Sequence, residues 1–435
     1  MPRRSTQIKF LCCTQSLQGA LWLISPFLLG RSISFPEGAD TEQMPCGCSM
    51  NPCRSPFQSR PSLPRMPQRK IAFFGPQYGV GGAGRVCASV GKALARKGYD
   101  VDFLVDGTYS AGGYLEDGLP GHGRVVPLTD ARYSDFKYGP PGFLGLFVAL
   151  AKYLRAEERI LVSSLTKFNI LSVWASVIPT LTEGLILIEH NLVSRSLTGR
   201  SRILHYLVRT HYPFSDEVVA VSSDVREDLC ENHGVSRSAC TTIRNPLDVE
   251  AVIFQSGQRV EHDWFHDDIP VVLAVGRFVE PKQFSLLLEA FERLTRRREA
   301  RLVLAGDGPL MDDLRALAAE LRIDERVDFL GFVSNPYKYM ERAELLAISS
   351  KYEGFGVVAT EALACGTPVV STDCPGGPSD ILNDGEYGEL VDVGDAGELA
   401  EAMARTLDDT PDPDRLVERA RHYDVDKVAD RYAEV

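Results

Sequence analysis

The feature that most constrains the fold is a repeated alternation of short apolar runs with amphipathic helical segments. One series begins at Lys70 and a second begins at Val271, with a polar and poorly periodic stretch between them. Continuous apolar strands that alternate with helices are typical of a parallel sheet covered on both faces. We therefore predict an α/β fold with two Rossmann-like parallel-sheet domains.

The individual elements follow from the local period of apolar residues. The first series predicts strands at Lys70–Gly75, Val101–Val105, Val125–Leu128, Ile160–Leu165, Leu185–Ile188, Val218–Val221 and Thr241–Ile243, and helices at Val86–Lys97 and Leu144–Ala156. The second predicts strands at Val271–Val275, Leu302–Ala305, Val327–Leu330, Leu345–Ile348 and Pro368–Ser371, and helices at Leu286–Leu294, Met311–Leu321 and Val357–Ala364.

These series predict a domain plan with one central cleft. The segments are an N-terminal domain at 67–247, a linker at 248–269, a C-terminal domain at 270–415, and a C-terminal helix within 416–435 that could cross back to the first domain. The carboxyl ends of parallel strands are where such folds bind ligands. Two facing sheets would bring both sets of strand ends to one crevice.

Residues 1–66 differ from the periodic body. They are rich in Ser, Pro, Arg and Cys, and their one apolar patch, Leu21–Leu29, is broken by Pro26. A secretory signal is one interpretation, but the patch is short and polar residues interrupt the approach to it. Met66 stands directly before the first strand. The preferred hypothesis is that translation begins there and that the preceding segment is disordered or foreign to the native protein.

The charge balance excludes one broad class of function. The chain has 47 Lys and Arg against 59 Asp and Glu, a net charge of −12, and residues 67–435 alone carry −16. Nucleic-acid binding needs a broad basic surface, so this class is not expected. Because the body of the chain is acidic, a phosphate site must be built from a few local cations and backbone amides.

The sequence has no run of about 20 apolar residues, the length that a membrane-spanning helix needs.

A glycine-rich loop, Tyr78–Gly84, lies between the first strand and its helix. Glycine lets backbone amides approach a ligand closely, and the helix N-terminus adds partial positive charge. Gly81 and Gly82 are therefore candidates to contact a phosphate or a sugar oxygen. A tight turn before a packed helix is the alternative interpretation.

Arg277 and Lys282 follow the strand Val271–Val275. Arg can bind two oxygens in a fork and Lys supplies a point charge, so both could converge on a diphosphate. Such a pair would offset the charge of a leaving group without a metal ion. The alternative is two solvated surface cations.

The most informative stretch is Ser350–Val370, which carries Glu353, a Gly354-Phe355-Gly356 turn and Glu361. A spacing of eight residues is expected to bring both carboxylates to one face of a helix. Glu353 and the turn could hold sugar hydroxyls, and Glu361 could accept hydrogen bonds from two ribose hydroxyls. Helix capping by Glu353 and a solvated Glu361 are the alternative.

His190 ends the apolar strand Leu185–Ile188, at the edge that would face the cleft. A neutral imidazole there can donate or accept a proton, or hydrogen-bond a sugar. A structural histidine is the alternative.

Taken in this order, the residues resemble the retaining glycosyltransferase family 4, whose fold is GT-B, from about Lys70 to the C-terminus. The marks are Gly81–Ala83, His190, Arg277 with Lys282, Gly306–Pro309, Gly331–Val333, and Glu353 with Glu361. The resemblance implies that Arg277, Lys282 and the glycine turn contact the donor diphosphate and that Glu361 contacts the ribose. It also implies that the backbone near Val333 contacts the base, and that Glu353 and His190 contact the transferred sugar.

The resemblance further implies the reaction. It predicts a metal-independent, retaining transfer of a sugar from a UDP- or GDP-sugar to a glycan or lipid-linked acceptor, with no cofactor. Asp-x-Asp strings, which hold metals in other transferases, occur only where we interpret them as structural, at Asp100–Asp102, Asp412–Asp414 and Asp424–Asp426. One departure is Gln283, where the family often has Gly. Two alternatives stay open: a nucleotide-sugar epimerase of GT-B shape and a non-catalytic nucleotide-sugar-binding module.

A basic segment in the acidic body suggests a membrane contact. Between His190 and Ser215 the chain has four arginines, Arg195, Arg200, Arg202 and Arg209, and no acid. Arg202, His205 and Arg209 would share one face of a helix whose other side carries Ile203, Leu204, Leu207 and Val208. The hypothesis is a cytoplasmic protein whose basic face touches anionic lipid headgroups, or the phosphate of a lipid-linked acceptor, on the cytoplasmic side of a membrane. A solvated helix face is the alternative.

Overall fold

The computed structural model describes residues 69–75, 82–105, 115, 119–121, 123–129, 140–176, 182–196 and 202–435. All of them belong to one compact unit that spans Pro64–Val435. The hypothesis about residues 1–66 and the prediction for Gly81 lie outside the described residues.

The N-terminal half, residues 69–247, is built on a parallel sheet. Its strands are β1 (Lys70–Phe74), β2 (Asp100–Val105), β3 (Arg124–Pro127), β4 (Ile160–Ser164), β5 (Gly184–Glu189), β6 (Glu217–Ala220) and β7 (Cys240–Thr242). Its helices are α1 (Gly82–Arg96), α2 (Pro140–Ala156), α3 (Thr166–Ser176), α4 (Val193–Ser196), α5 (Arg202–His211) and α6 (Ser223–Asn232). The strand order is β3-β2-β1-β4-β5-β6-β7, so β1 and β4 are central neighbours.

A short helix, α7 (Val249–Ser256), connects this half to the C-terminal half, residues 270–415. The second sheet comprises β8 (Val271–Val275), β9 (Arg301–Ala305), β10 (Val327–Gly331), β11 (Leu345–Ile348), β12 (Val369–Thr372) and β13 (Glu389–Val391), in the order β10-β9-β8-β11-β12-β13. Its helices are α8 (Phe284–Thr295), α9 (Met311–Glu320), α10 (Tyr337–Met340), α11 (Val357–Ala364), α12 (Pro378–Leu382) and α13 (Ala396–Asp408).

The predicted fold class is confirmed: both sheets are parallel and covered by helices. Sequence patterns missed several elements, among them α3, α6 and β13. Helix α3 is buried at seven of its positions, so it lacks the polar face that marks an amphipathic helix. Strand β13 has only three residues at the edge of its sheet, too few for a periodic signal.

The chain ends in two helices, α14 (Pro413–Ala420) and α15 (Val425–Glu434). Helix α15 packs against α1 of the N-terminal half, and Lys97 Nζ lies 2.6 Å from Asp430 Oδ1. Backbone hydrogen bonds join the two parts as well, because Val425 N donates to the carbonyl oxygen of Leu247 at 3.0 Å. Within the described residues, no helix combines the length and the apolar run that a bilayer crossing requires.

Candidate functional site

A cavity of about 730 Å³ opens between the two halves, where the carboxyl ends of their strands meet. We call it the cleft. Of the residues predicted from the sequence, those that line it are Gly82, His190, Arg277, Lys282, Glu353, Gly354, Phe355, Gly356 and Glu361. The cleft therefore brings together side chains that lie up to 279 residues apart in the chain.

His190 enters the cleft from the N-terminal half, directly after β5. Its Nε2 lies 3.0 Å from Ser164 Oγ at the end of the neighbouring strand β4. Burial lowers the pKa of His190 to about 4. The imidazole is therefore neutral near pH 7, and it can donate or accept a hydrogen bond but carries no charge.

A buried carboxylate, which the sequence analysis did not select, fixes the backbone of His190. Glu189 is fully buried, and burial raises its pKa. Its Oε2 accepts hydrogen bonds from Thr166 Oγ1 at 2.9 Å and from Tyr212 Oη at 2.7 Å. Its Oε1 accepts from the backbone N–H of His190 at 3.1 Å. A buried carboxylate held by this many donors makes the His190 turn rigid.

The two halves touch at the floor of the cleft, where Gly354 meets His190. A Cβ placed on Gly354 would lie 1.8 Å from the carbonyl oxygen of His190. Only glycine permits that approach, so its place in the Gly354-Phe355-Gly356 turn has a packing reason in addition to any contact with a ligand.

Lys282 and Glu353, predicted to contact different parts of a donor, contact each other. Lys282 Nζ lies 2.5 Å from Glu353 Oε1, and Ser350 Oγ donates to the same oxygen at 2.7 Å. Arg277 is exposed, and its guanidinium has no hydrogen-bond or ion-pair partner among the described residues. Arg277 is thus a cleft cation without a carboxylate partner among the described residues, and Lys282 is one that a diphosphate could attract away from Glu353.

Glu361 is only 6% exposed, and burial raises its pKa. Its Oε1 accepts hydrogen bonds from Arg85 Nη1 at 2.6 Å and from Tyr337 Oη at 3.0 Å. Arg85 belongs to α1 of the N-terminal half and Tyr337 to α10 of the C-terminal half. Sequence patterns did not identify either residue. The position of Arg85, one helical turn into the helix after the glycine loop, is the signal that could have pointed to it.

The reason given for pairing Glu353 with Glu361 was wrong. Helix α11 begins at Val357, so Glu353 lies in the preceding turn and not on a helix face. The two carboxylates share the cleft because the turn folds back over Gly376, where a Cβ would lie 1.8 Å from the carbonyl oxygen of Glu353.

Phe355 and Val333, predicted to contact the sugar and the base, do not present their side chains to the cleft as free contact surfaces. The ring of Phe355 is buried against Tyr423, with centroids 5.6 Å apart, so the ring is part of the core. Val333 does not line the cleft and packs against the core, whereas its neighbour Phe332 lines the cleft and is 83% exposed. An exposed ring at this edge offers an aromatic surface for stacking.

Asn245 is a cleft residue that the sequence analysis also missed. It is 6% exposed, and its Oδ1 is buried without a hydrogen-bond partner. A buried acceptor without a donor is costly, and a ligand hydroxyl or water would satisfy it. Among the described residues, no group of three or more His, Cys, Asp or Glu side chains could hold a metal ion.

A second contact between the halves lies outside the cleft, at Asp380 of α12. Its Oδ1 accepts from Arg244 Nη2 at 3.0 Å, and its Oδ2 accepts from Ser223 Oγ at 3.0 Å. Asp380, Arg244 and the C-terminal helices line a smaller cavity of about 270 Å³. None of the residues predicted as site residues lines this second cavity.

Two Rossmann-like domains that face one cleft define the GT-B class of glycosyltransferases. Residues 259–423 match the family described as "Glycosyl transferases group 1", and residues 80–251 match "Glycosyltransferase Family 4". The two matches lie on the two halves of the chain, and together they support a GT-B glycosyltransferase of group 1.

Relatives with assigned activities match different shares of the chain. It is 36% identical over 209 residues to the Campylobacter jejuni "N-acetylgalactosamine-N,N'-diacetylbacillosaminyl-diphospho-undecaprenol 4-alpha-N-acetylgalactosaminyltransferase", which covers 48% of this chain and 55% of the relative. The match therefore spans about half the length of that relative. It is 27% identical to the Bacillus anthracis "N-acetyl-alpha-D-glucosaminyl L-malate synthase" over 79% of this chain and 88% of that protein.

Among solved structures, HepE from Anabaena in complex with UDP-glucose is similar, with a TM-score of 0.68 and 22% identity. The match covers 84% of this chain and 98% of HepE. This likeness supports the GT-B fold.

Proposed function

We propose that this protein is a retaining glycosyltransferase that moves a sugar from a UDP- or GDP-sugar to a glycan or lipid-linked acceptor. The observation that carries the proposal is the shared cleft, in which His190 of the N-terminal half faces Arg277, Lys282 and Glu353 of the C-terminal half. A donor lying along the C-terminal half would place its anomeric carbon between the two halves.

The proposed donor pose follows the charges of the cleft. Glu361 binds the ribose hydroxyls, Phe332 and the backbone near Val333 contact the base, and Arg277 with Lys282 binds the diphosphate. Glu353, the Gly354-Phe355-Gly356 turn and His190 hold the transferred sugar. Gly82, the first residue of α1, contacts the diphosphate together with Gly81, which lies outside the described residues. Helix α11 begins directly after Gly356, so its N-terminal amides add partial positive charge at this end of the cleft.

In the proposed reaction the bond between the anomeric carbon and the diphosphate oxygen breaks, and its electron pair leaves with the diphosphate. The acceptor hydroxyl attacks from the same face, and its proton passes to the departing phosphate oxygen. Arg277 and Lys282 stabilise the developing negative charge, the task that a metal ion performs in other transferases. Neutral His190 hydrogen-bonds the sugar and carries no charge that would oppose an oxocarbenium-like centre.

The names of the relatives support the substrate class. The Campylobacter relative is named for a diphospho-undecaprenol acceptor and for the transfer of N-acetylgalactosamine. The Bacillus relative is named for N-acetyl-α-D-glucosaminyl transfer to malate. HepE was solved with UDP-glucose. The HepE complex favours a UDP-sugar as donor and the Campylobacter name favours a lipid-linked acceptor, whereas the Bacillus name points to a small-molecule acceptor.

The test is a thermal-shift panel of UDP- and GDP-sugars, followed by incubation with the radiolabelled donor that stabilises most. Without acceptor, a transferase gives only slow hydrolysis. With an undecaprenyl-diphosphate saccharide, the label should move into the lipid phase. An altered sugar on the nucleotide would identify an epimerase, and binding without any turnover would identify a non-catalytic module. Either outcome rejects the proposal.

We further propose that the protein is cytoplasmic and contacts the membrane peripherally through α5 and its neighbours. Ile203 and Tyr206 on α5 are each 66% exposed, and Arg209 is exposed beside them. Leu204 and Leu207 are partly buried and Val208 is fully buried, so Ile203 does not share the packed face on which the sequence analysis placed it.

The other residues of the predicted basic face do not add exposed cations to the described surface. His205 is half-buried and stacks on His233 with ring centroids 5.3 Å apart, so it is not a free surface charge. The side chain of Arg202 and residue Arg200 lie outside the described part of the chain. The surface that remains combines exposed apolar side chains with cations, the composition of helices that bind anionic interfaces.

Flotation with phosphatidylglycerol vesicles at low salt tests this surface. The double variant Arg202→Gln/Arg209→Gln should float less than the wild type, and raised salt should remove the difference. The control Arg296→Gln/Arg297→Gln removes the same charge from exposed positions of the C-terminal half. Equal flotation of the two double variants would reject the membrane contact at α5.

A further inference from the structure

Arg85 reaches across the cleft to the carboxylate that the proposed function assigns to the ribose. Its Nη1 lies 2.6 Å from Glu361 Oε1 and 3.0 Å from Tyr337 Oη. The Tyr337 hydroxyl donates to the same Glu361 oxygen at 3.0 Å. Arg85 belongs to the N-terminal half, and the other two residues belong to the C-terminal half. The three side chains therefore join the halves at the nucleoside end of the cleft.

These contacts saturate one oxygen of Glu361. A carboxylate oxygen has two lone pairs, and Oε1 already accepts from Arg85 and from Tyr337. The two neighbouring hydroxyls of a ribose pair best with both oxygens of one carboxylate. A ribose that binds Glu361 in this way must displace one of the two donors from Oε1.

Arg85 is the donor that can leave. Its side chain is 37% exposed at the edge of the cleft, whereas Tyr337 is buried beside Glu361. A partly exposed arginine can rotate into the cavity, where Arg85 is one of the lining residues. Tyr337 also lines the cleft, but it is only 8% exposed, so its ring cannot turn away from Glu361 without leaving its packed position.

The charges of the cleft indicate where the guanidinium goes. Each of the carboxylates Glu353 and Glu361 is held by one cation, Lys282 and Arg85 respectively. A nucleoside diphosphate brings more negative charge than either carboxylate, and its phosphates are bonded directly to the ribose that occupies Glu361. A guanidinium forks onto phosphate oxygens with strong, charge-assisted hydrogen bonds.

We propose that Arg85 is a donor-binding residue that changes partners. It holds Glu361 in the donor-free protein and turns to the donor diphosphate when the ribose hydroxyls take Glu361. The same exchange ties the N-terminal half to the bound nucleotide, so the cleft is held together by the donor and no longer by the Arg85–Glu361 pair. The inference rests on the proposed function, because both the ribose and the diphosphate belong to its donor.

Calorimetric titration of the full chain separates the two roles of Arg85. The ligands are UDP, uridine, GDP and guanosine, and the variant is Arg85→Gln. The nucleoside should bind severalfold more tightly to the variant, because Glu361 is no longer occupied. The matching diphosphate should bind about 10-fold more weakly, because a charge-assisted hydrogen bond is lost. The ratio of diphosphate to nucleoside affinity therefore falls by more than 10-fold.

Changes of opposite sign cannot come from misfolding, which would weaken both ligands together. Arg85→Lys, which keeps the charge but loses the fork, should shift both affinities in the same directions by smaller factors. Lys152→Gln removes an exposed cation of α2 outside the cleft and should leave the ratio unchanged.

Failure of the proposed function and failure of the inference about Arg85 give different results in this titration. If the wild type binds neither UDP nor GDP, the nucleotide-sugar function itself is rejected, and this inference with it. If the wild type binds one of them but Arg85→Gln keeps the wild-type ratio, or if the nucleoside binds no more tightly, only the role of Arg85 is rejected.

Discussion

The N-terminal half leaves large apolar side chains in solvent, whereas the C-terminal half has few of them and keeps its functional charges in the cleft. The exposed apolar side chains of the N-terminal half are Leu144, Val148, Trp174, Ile203, Tyr206 and Phe214. Those described in the C-terminal half are Phe332, which lines the cleft, and Val393. The same sheet-and-helix plan therefore has two different surfaces.

Under the proposed function, this difference assigns the two halves to different substrates. The C-terminal half supplies Arg277, Lys282, Glu353 and Glu361, which would bind a small, charged, water-soluble donor. The N-terminal half supplies neutral His190 and an outer surface of apolar and cationic side chains, which would suit an acceptor at a lipid interface. Helices α2, α3 and α5, which carry five of these six side chains, pack in that order against one another. A contiguous patch of exposed apolar residues is typical of an interaction surface.

The largest effect should come from the cations of the C-terminal half. Arg277→Gln should lower kcat by about 10²–10³-fold, because it removes a charge that stabilises the leaving diphosphate. Steady-state transfer assays with saturating donor measure this. Arg315→Gln is the matched control, since that arginine is exposed on the same half and lies over the Phe329 ring. A decrease in kcat of less than threefold for Arg277→Gln would remove this residue from the reaction.

The next effect tests the neutral histidine of the N-terminal half. The pKa of His190 falls from 6.5 to about 4 on folding, so the unfolded chain binds the proton more readily. The stabilisation is fully present above pH 6.5 and is lost as the pH falls toward 4. Between pH 7 and pH 5 this amounts to about 2 kcal/mol of the free energy of unfolding.

When the pH is lowered from 7 to 5, the free energy of unfolding of His190→Gln should therefore fall by about 2 kcal/mol less than that of the wild type. Urea unfolding at pH 7 and pH 5 provides the comparison. Parallel losses in the two proteins would mean that His190 is not buried in its neutral form, and the contrast between the halves would weaken.

The smallest effect concerns a backbone feature that both halves share. Gln283 before α8 and Leu165 before α3 both have left-handed backbone, with φ of +45° and +75°. A non-glycine residue in left-handed backbone lowers the free energy of unfolding by roughly 1–2 kcal/mol. Replacing it with glycine removes this strain, but part of the gain in stability is lost because glycine has greater conformational freedom in the unfolded chain. Gln283→Gly also removes a buried Oε1 that has no partner.

Gln283→Gly should therefore stabilise the protein by up to about 1 kcal/mol, which raises the melting temperature by roughly 1 °C in differential scanning fluorimetry, because the entropy of unfolding grows with chain length. The left-handed backbone also explains why the related family often has glycine at this position. Leu165→Gly is the counterpart in the N-terminal half, and it should lower the melting temperature because a half-buried leucine is lost. Equal shifts in both variants would contradict this account.

Much of the fold was predictable because strand and helix periods are local. The strands Val271–Val275 and Leu345–Ile348 and the helix Val357–Ala364 were predicted with the bounds that the structure has. Helix α3 was not predicted, because burial on nearly all sides erases its period. A contact of the Phe355 backbone with a sugar stays a prediction. The burial of its ring against Tyr423 was not predicted, because Tyr423 lies far away along the chain, near the C-terminus.

Local apolar periods were enough to predict the two parallel sheets and to place His190, Arg277 and the Glu353 turn at strand ends, since parallel strands direct their carboxyl ends to one edge. Which of these groups contact each other depends on long-range packing. Arg85 and Glu361 are 276 residues apart, and Gly354 meets the His190 carbonyl across the cleft. Such contacts depend on how one half is positioned against the other, and no local period encodes that position.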